Sequence, residues 1–120
     1  SNDLDWKFIA TVKKSVEDNM DNPSFNVDVL CNLLNMSRTS FYNKIKALTD
    51  QAPADYIRLI RLKHAAQLLK EQKHTITEIS ELTGFSDAKY FREVFKKHFN
   101  MSPSQYAKRG KEGKDDKEIK

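Results

Sequence analysis

Glycine, proline and cysteine are scarce in this chain of 120 residues, which contains three glycines, three prolines and one cysteine. So few turn formers argue against an all-β domain with many tight turns, and they exclude a P-loop or a Gly-rich dinucleotide loop. The single cysteine, Cys31, excludes an internal disulfide framework and a Cys-rich zinc site. His64, His74 and His98 lack the spacing of metal ligands. We therefore expect neither a metal nor a cofactor.

Long apolar runs are also absent, and no stretch approaches the ~18 residues that a membrane span requires. Hydrophobic residues still make up 38% of the chain and charged residues 32%, which is enough apolar content to fold and excludes global disorder. Twenty-one basic and 17 acidic residues give a net charge of +4. These values indicate a small, mildly basic domain from a reducing compartment, without membrane contact.

Apolar residues recur at three- and four-residue steps, which is the pattern of helices with one buried face. Asn26, Ser37 and the pair Thr75 and Glu78 are suited to cap three helices, and Pro53 is suited to open a long one. The first helix, over about residues 5–19, has the apolar stripe Trp6, Ile9, Val12, Val16 and Met20. The inward residues expected on two later short helices are Val27, Leu30, Leu33 and Leu34, then Ile76, Ile79 and Leu82.

The second half of the chain repeats the first. Five residues recur 49 positions later: Val27, Leu30, Leu33, Met36 and Ser37 match Ile76, Ile79, Leu82, Phe85 and Ser86. Five more recur 50 positions later: Phe41, Ile45, Lys46, Pro53 and Tyr56 match Phe91, Phe95, Lys96, Pro103 and Tyr106. Each copy reads as a short helix, a tight turn at Asn35 or Gly84, and a longer helix with one polar face. The predicted fold class is all-α, with two tandem helix-turn-helix subdomains joined by a long central helix and preceded by an extra N-terminal helix.

Three segments of the second repeat form a distinctive pattern: Gly84-Phe85-Ser86-Asp87 leading to Tyr90-Phe91, then Phe95-Lys96-Lys97, then Ser102-Pro103-Ser104-Gln105-Tyr106. Together with Tyr56-Ile57-Arg58 and Arg61-Leu62 of the long central helix, this pattern resembles the DNA-binding domain of AraC/XylS-type transcription regulators over about residues 26–106. Residues 36–48 resemble a narrower group, the C-terminal output domains of hybrid two-component sensors of Bacteroidetes, which control polysaccharide-utilisation genes.

The resemblance implies sequence-specific binding of double-stranded DNA for transcription regulation, with the third and sixth helices in successive major grooves roughly 34 Å apart. Arg58 and Arg61 on the long central helix are expected to have a structural role or to contact the DNA backbone. The base-reading candidates on the outward helix faces are Thr39, Tyr42, Asn43, Ala88, Lys89, Arg92 and Glu93. The phosphate-contacting candidates are Ser37, Arg38, Ser40, Lys44, Lys46, Ser86, Lys96 and Lys97.

The same resemblance divides the chain. Because the chain begins with Ser1 and not Met, residues 1–4 are expected to be a linker or a scar of expression. The charged residues 107–120 are expected to be a disordered tail. The DNA-binding domain is expected at residues 5–106, with the first helix-turn-helix at about 26–49, the linker helix at about 53–70 and the second helix-turn-helix at about 75–99. The narrower group implies a homodimeric parent that can carry a histidine kinase in the inner membrane, with this end in the cytoplasm and RNA polymerase as a further partner.

Several features depart from the family pattern and leave an alternative open. Asp50 and Asn100 stand where the family has glycine, although both residue types tolerate the left-handed conformation. Asp87 and Glu93 are unusually acidic for a DNA-facing helix, which keeps open a helical protein-interaction bundle without independent DNA binding. No enzyme is predicted, because Ser, His and Asp do not follow one another along the chain in the pattern of a catalytic triad, and because Cys31 falls on an inward face.

Overall fold

The computed structural model describes residues 3–112, with side chains up to residue 110. The described residues form seven α-helices and no strand, which confirms the predicted all-α class. None of these helices is long and apolar enough to cross a lipid bilayer. Their bounds are α1 Asp3–Asp18, α2 Val27–Leu33, α3 Arg38–Thr49, α4 Pro53–Glu71, α5 Ile76–Leu82, α6 Ala88–Phe99 and α7 Pro103–Glu112.

The chain divides between Arg61 and Leu62, inside α4, into two compact units. The first unit contains α1 to α3 and the first half of α4, and its core is built around Val12, Val16, Leu30, Phe41, Ile45 and Tyr56. The ring of Phe8 packs edge-on against Phe41, with centroids 6.1 Å apart, so α1 is part of the packing behind α3. Burial raises the pKa of the Tyr56 hydroxyl.

The second unit contains the remaining half of α4 and helices α5 to α7, and aromatic rings dominate its core. Phe91 and Phe95 are fully buried, and their ring centroids lie 5.7 Å apart. Tyr106 of α7 packs edge-on against Phe95 at 5.4 Å, so it joins α7 to α6. Leu69 and Ile79 complete this core.

Three residues expected to face inward are exposed: Trp6 by 69%, Leu33 by 60% and Leu82 by 38%. In α2 the buried face is centred on Leu30 and Cys31, and at about 100° per residue this places Leu33 on the flank of the helix. Leu82 has the same position relative to Ile79 and Ser80 in α5. Trp6 lies about 100° from the direction of the buried Val12 and Val16 in α1.

The predicted chain ends also differ from the structure. Helix α7 continues to Glu112, so residues 107–112 are helical and do not belong to the tail expected at 107–120. The extension is explained by packing, because Ala107 contacts the core of the second unit and its carbonyl accepts a hydrogen bond from Gln72. Helix α1 begins at Asp3, so residues 3–4 are not a linker. Residues 1–2 and 113–120 lie outside the described residues.

Candidate DNA-binding interface

The turns between the paired helices are built in the same way in both units. Asn35 adopts φ 54° and Gly84 φ 76°, the left-handed conformation that each position was expected to need. Directly after each, a backbone N–H reaches back five residues: Met36 donates to the Cys31 carbonyl and Phe85 to the Ser80 carbonyl, both at 3.0 Å. The two turns are therefore alike up to Met36 and Phe85, after which α6 begins one residue later than α3, at Ala88.

Small side chains lie behind both turns. Cys31 is 4% exposed and Ser80, 49 positions later, is 1% exposed, and the burial of Cys31 agrees with the inward face expected for it. Burial raises the pKa of the Cys31 thiol, which therefore stays protonated near neutral pH and is a poor nucleophile.

Side-chain caps fix the first turn of each helix. The Ser37 hydroxyl accepts a hydrogen bond from the Ser40 N–H at 3.1 Å, and the Asp87 carboxylate accepts one from the Tyr90 N–H at 2.7 Å. At the other end, Asp50 and Asn100 adopt φ 59° and 62°, so both replace the family glycine in the left-handed conformation. The acidic Asp87 thus has a structural reason, since it caps α6.

The outward face of α3 carries three of the base-reading candidates. Thr39, Tyr42 and Asn43 are exposed, whereas Phe41 and Ile45 of the same helix are buried. With Arg38, Val27 and residues 52–54, they line an open groove of about 500 Å³. This face offers an amide, a hydroxyl and a phenol to a partner.

The outward face of α6 carries the other four base-reading candidates. Lys89, Arg92 and Glu93 are exposed, and Ala88 is half-buried. Thr39, Tyr42 and Asn43 of α3 correspond by the 50-residue repeat to Lys89, Arg92 and Glu93. The repeat therefore presents uncharged groups on α3 and charged groups on α6 at matching positions.

The phosphate-contacting candidates fall into two groups. Ser86, Lys96 and Lys97 are exposed in the second unit. In the first unit, Arg38 pairs with Asp28, Lys46 pairs with Asp50, and the half-buried Lys44 places its Nζ 4.6 Å from the ring centroid of Phe8. Ser37 and Ser40 take part in the α3 cap described above. Asp28 and Phe8 were not singled out from the sequence, since both act through contacts between separate helices.

Arg61 on α4 has a structural role, which is one of the two roles expected of it. Its side chain is 5% exposed and donates hydrogen bonds to the carbonyls of Met20, Asn22 and Phe25, at 2.6, 3.0 and 3.1 Å. Burial lowers the pKa of its guanidinium. The neighbouring Arg58 pairs with Asp55 one turn earlier on the same helix. Neither arginine belongs to the outward faces of α3 and α6.

Tandem helix-turn-helix units with exposed polar faces on their second helices define the class of helix-turn-helix DNA-binding proteins. The family model described as Helix-turn-helix domain matches residues 30–109. The chain belongs to this family and is an AraC-type DNA-binding domain of a transcription regulator. The described residues contain no group of His, Cys, Asp and Glu that could hold a metal ion.

Three known proteins illustrate the similarity. Histidine kinase P4 of Formosa agariphila is 46% identical over 106 residues, which cover 88% of this chain and 8% of the kinase. The C-terminal domain of the two-component response regulator yesN of Fusobacterium nucleatum has a TM-score of 0.77 at 27% identity, covering 84% of this chain and 98% of that one. The DNA-binding domain of AdpA, solved with a target DNA, has a TM-score of 0.78 at 24% identity, covering 88% and 96%.

This chain spans only a minor part of its curated relatives. The share is 8% for the Formosa kinase, and for other curated relatives it lies between 26% and 38%.

Proposed function

We propose that this domain binds double-stranded DNA in a sequence-specific manner by placing α3 and α6 in successive major grooves. The observation that carries the proposal is the repetition of one arrangement: a short helix with one buried face, a left-handed turn residue and a capped helix with an exposed polar face. An α-helix fits the major groove, where each base pair presents a distinct set of donors and acceptors.

The chemistry of the two faces suits base reading. The Asn43 amide can form a bidentate pair with adenine, and Arg92 or Lys89 can donate to guanine. Glu93 can accept from the cytosine amino group. The methyl groups of Thr39 and Ala88 can contact thymine methyls, and Tyr42 extends the α3 face. The edges would contact phosphates through Ser37, Arg38, Ser40, Lys44, Lys46, Ser86, Lys96 and Lys97.

The proposal extends to the longer protein. Similarity to part of a Formosa histidine kinase and to the C-terminal domain of a response regulator supports an output domain of a hybrid two-component sensor. Such a sensor would be a homodimer with this domain in the cytoplasm. Control of polysaccharide-utilisation genes and contact with RNA polymerase belong to the same proposal.

In-vitro selection from random duplex DNA tests the proposal. We expect a motif of two short blocks about one helical turn apart, bound with a steep decrease in affinity as salt increases. Asn43→Ala and Arg92→Ala should each relax one block only, at a cost of about 1–3 kcal/mol. Asn32→Ala and Lys63→Ala are matched controls, because both residues are exposed and belong to other helices, α2 and α4.

The alternative is a protein-interaction bundle, which Leu4 and Trp6 would favour because their side chains are 70% and 69% exposed on α1. No enriched motif, together with binding that is absent or independent of salt, would reject the DNA-reading proposal and support this alternative.

A further inference from the structure

The two units carry very different charge. Residues 1–61 contain eight Lys or Arg residues and eight Asp or Glu residues, whereas residues 62–120 contain thirteen and nine. The net charge of +4 therefore belongs entirely to the second unit. Attraction between a protein and DNA phosphates is dominated by cations that can neutralise phosphates and release their counterions. The two units therefore differ in the net positive charge that can attract DNA phosphates.

Carboxylates lie beside two cations of the first unit, Arg38 and Lys46. The Arg38 guanidinium contacts Oδ1 of Asp28 through Nε at 2.6 Å and through Nη2 at 2.5 Å. Lys46 lies 4.0 Å from the Asp50 carboxylate and donates to the Asp50 carbonyl at 3.4 Å. These pairs are exposed and weak, but each carboxylate would remain beside any phosphate that its cation contacts.

The repeat shows that these carboxylates are specific to the first unit. Asp50 corresponds to Asn100, and both end their helices in the same left-handed conformation. Asp28 corresponds to Thr77, 49 positions later. Lys96, the counterpart of Lys46, therefore has a neutral residue, Asn100, four positions later at the end of its helix. At both positions the second unit replaces an acidic residue with an uncharged one.

The outward cations of the second unit are not compensated in this way. Lys89, Arg92, Lys96 and Lys97 are exposed, and none has an ion pair within the described part of the chain. The last turn of α6 is basic. Asp87 lies at the opposite end of the helix, where its carboxylate accepts a hydrogen bond from the Tyr90 N–H.

We propose that the two units divide the work of DNA binding, an inference that rests on the proposed function above. The second unit supplies most of the salt-dependent attraction to phosphates through α6. The first unit contributes less salt dependence, because Asp28 and Asp50 offset Arg38 and Lys46. It reads bases through the uncharged Thr39, Tyr42 and Asn43.

Lys46→Gln and Lys96→Gln are the matched test, since the two lysines occupy equivalent positions and both are exposed. The dissociation constant of the intact chain for its selected duplex is measured over a range of salt concentrations. A lost phosphate contact reduces the slope of log K against log salt by about 0.9. We expect that reduction for Lys96→Gln and less than about half of it for Lys46→Gln.

Asp28→Asn and Asp50→Asn test the same idea by gain of binding. Each should tighten DNA binding and steepen the salt dependence, and Asp50→Asn installs the residue that the second unit already has. Equal slopes for the two lysine variants, or no gain from either asparagine variant, would overturn the division of work while leaving DNA binding intact. Absence of salt-dependent binding by the unmodified chain would instead reject the proposed function itself.

Discussion

At the scale of single residues, Arg61 holds the connection between α1 and α2. Its guanidinium satisfies three backbone carbonyls in a segment that has no helix of its own, from Met20 to Phe25. A buried carbonyl without a hydrogen-bond donor destabilises the folded state. The Arg61 guanidinium supplies donors that helical backbone N–H groups would otherwise provide. Its position on α4 ties that connection to the core of the first unit.

We predict that Arg61→Met lowers the free energy of unfolding by about 3 kcal/mol. Methionine fills the space but donates no hydrogen bond to the carbonyls of Met20 and Phe25, whereas the Asn22 carbonyl keeps the Phe25 N–H as a donor at 3.1 Å. Arg61→Lys should lose less, since an ammonium can still donate to part of the set. Denaturant unfolding followed by circular dichroism measures both. Arg58→Met is the matched control and should cost less than about 1 kcal/mol, because Arg58 is half-exposed. Equal losses at the two positions would contradict the role of Arg61.

At the scale of helices, the sequence predicted the turns better than the faces. Asn35, Asp50 and Asn100 were assigned correctly because only a few residue types accept the left-handed conformation. Leu33 and Leu82 were misassigned because a helix of seven residues has too few apolar positions to define its buried direction. The pairing of Arg38 with Asp28 joins two helices and could not be predicted from spacing along one of them.

The cap of α6 gives a prediction that separates structure from charge. Asp87→Ala should lower the free energy of unfolding by about 1 kcal/mol, because the Tyr90 N–H loses its acceptor. Asp87→Asn keeps an acceptor and removes the charge, so it should cost only a few tenths of a kcal/mol. Urea unfolding midpoints measure both effects. If the asparagine variant is destabilised as much as the alanine variant, charge at the start of α6 matters more than the cap.

At the scale of the whole molecule, a net charge of +4 provides only a modest general attraction to DNA. Binding by one copy must then depend on the local α6 cations and on base contacts. The chain also spans 8% of the Formosa kinase that it resembles, so a longer protein can supply what a single copy lacks. Two linked copies convert the second binding event into an intramolecular one.

We therefore predict that a dimerising coiled coil fused before α1 increases the affinity for a duplex with two copies of the selected site by about 10²–10⁴-fold over one copy. The unfused chain should bind the two-copy duplex without this gain, since its copies are not linked. Because the gain requires both copies to engage, the spacing between sites is varied over one helical turn. A fusion carrying Asn43→Ala and Arg92→Ala is the control and should show weak binding to either duplex. Equal affinity of the intact fusion for one and two copies at every spacing would contradict this prediction, because it would show that linkage before α1 does not let both copies bind.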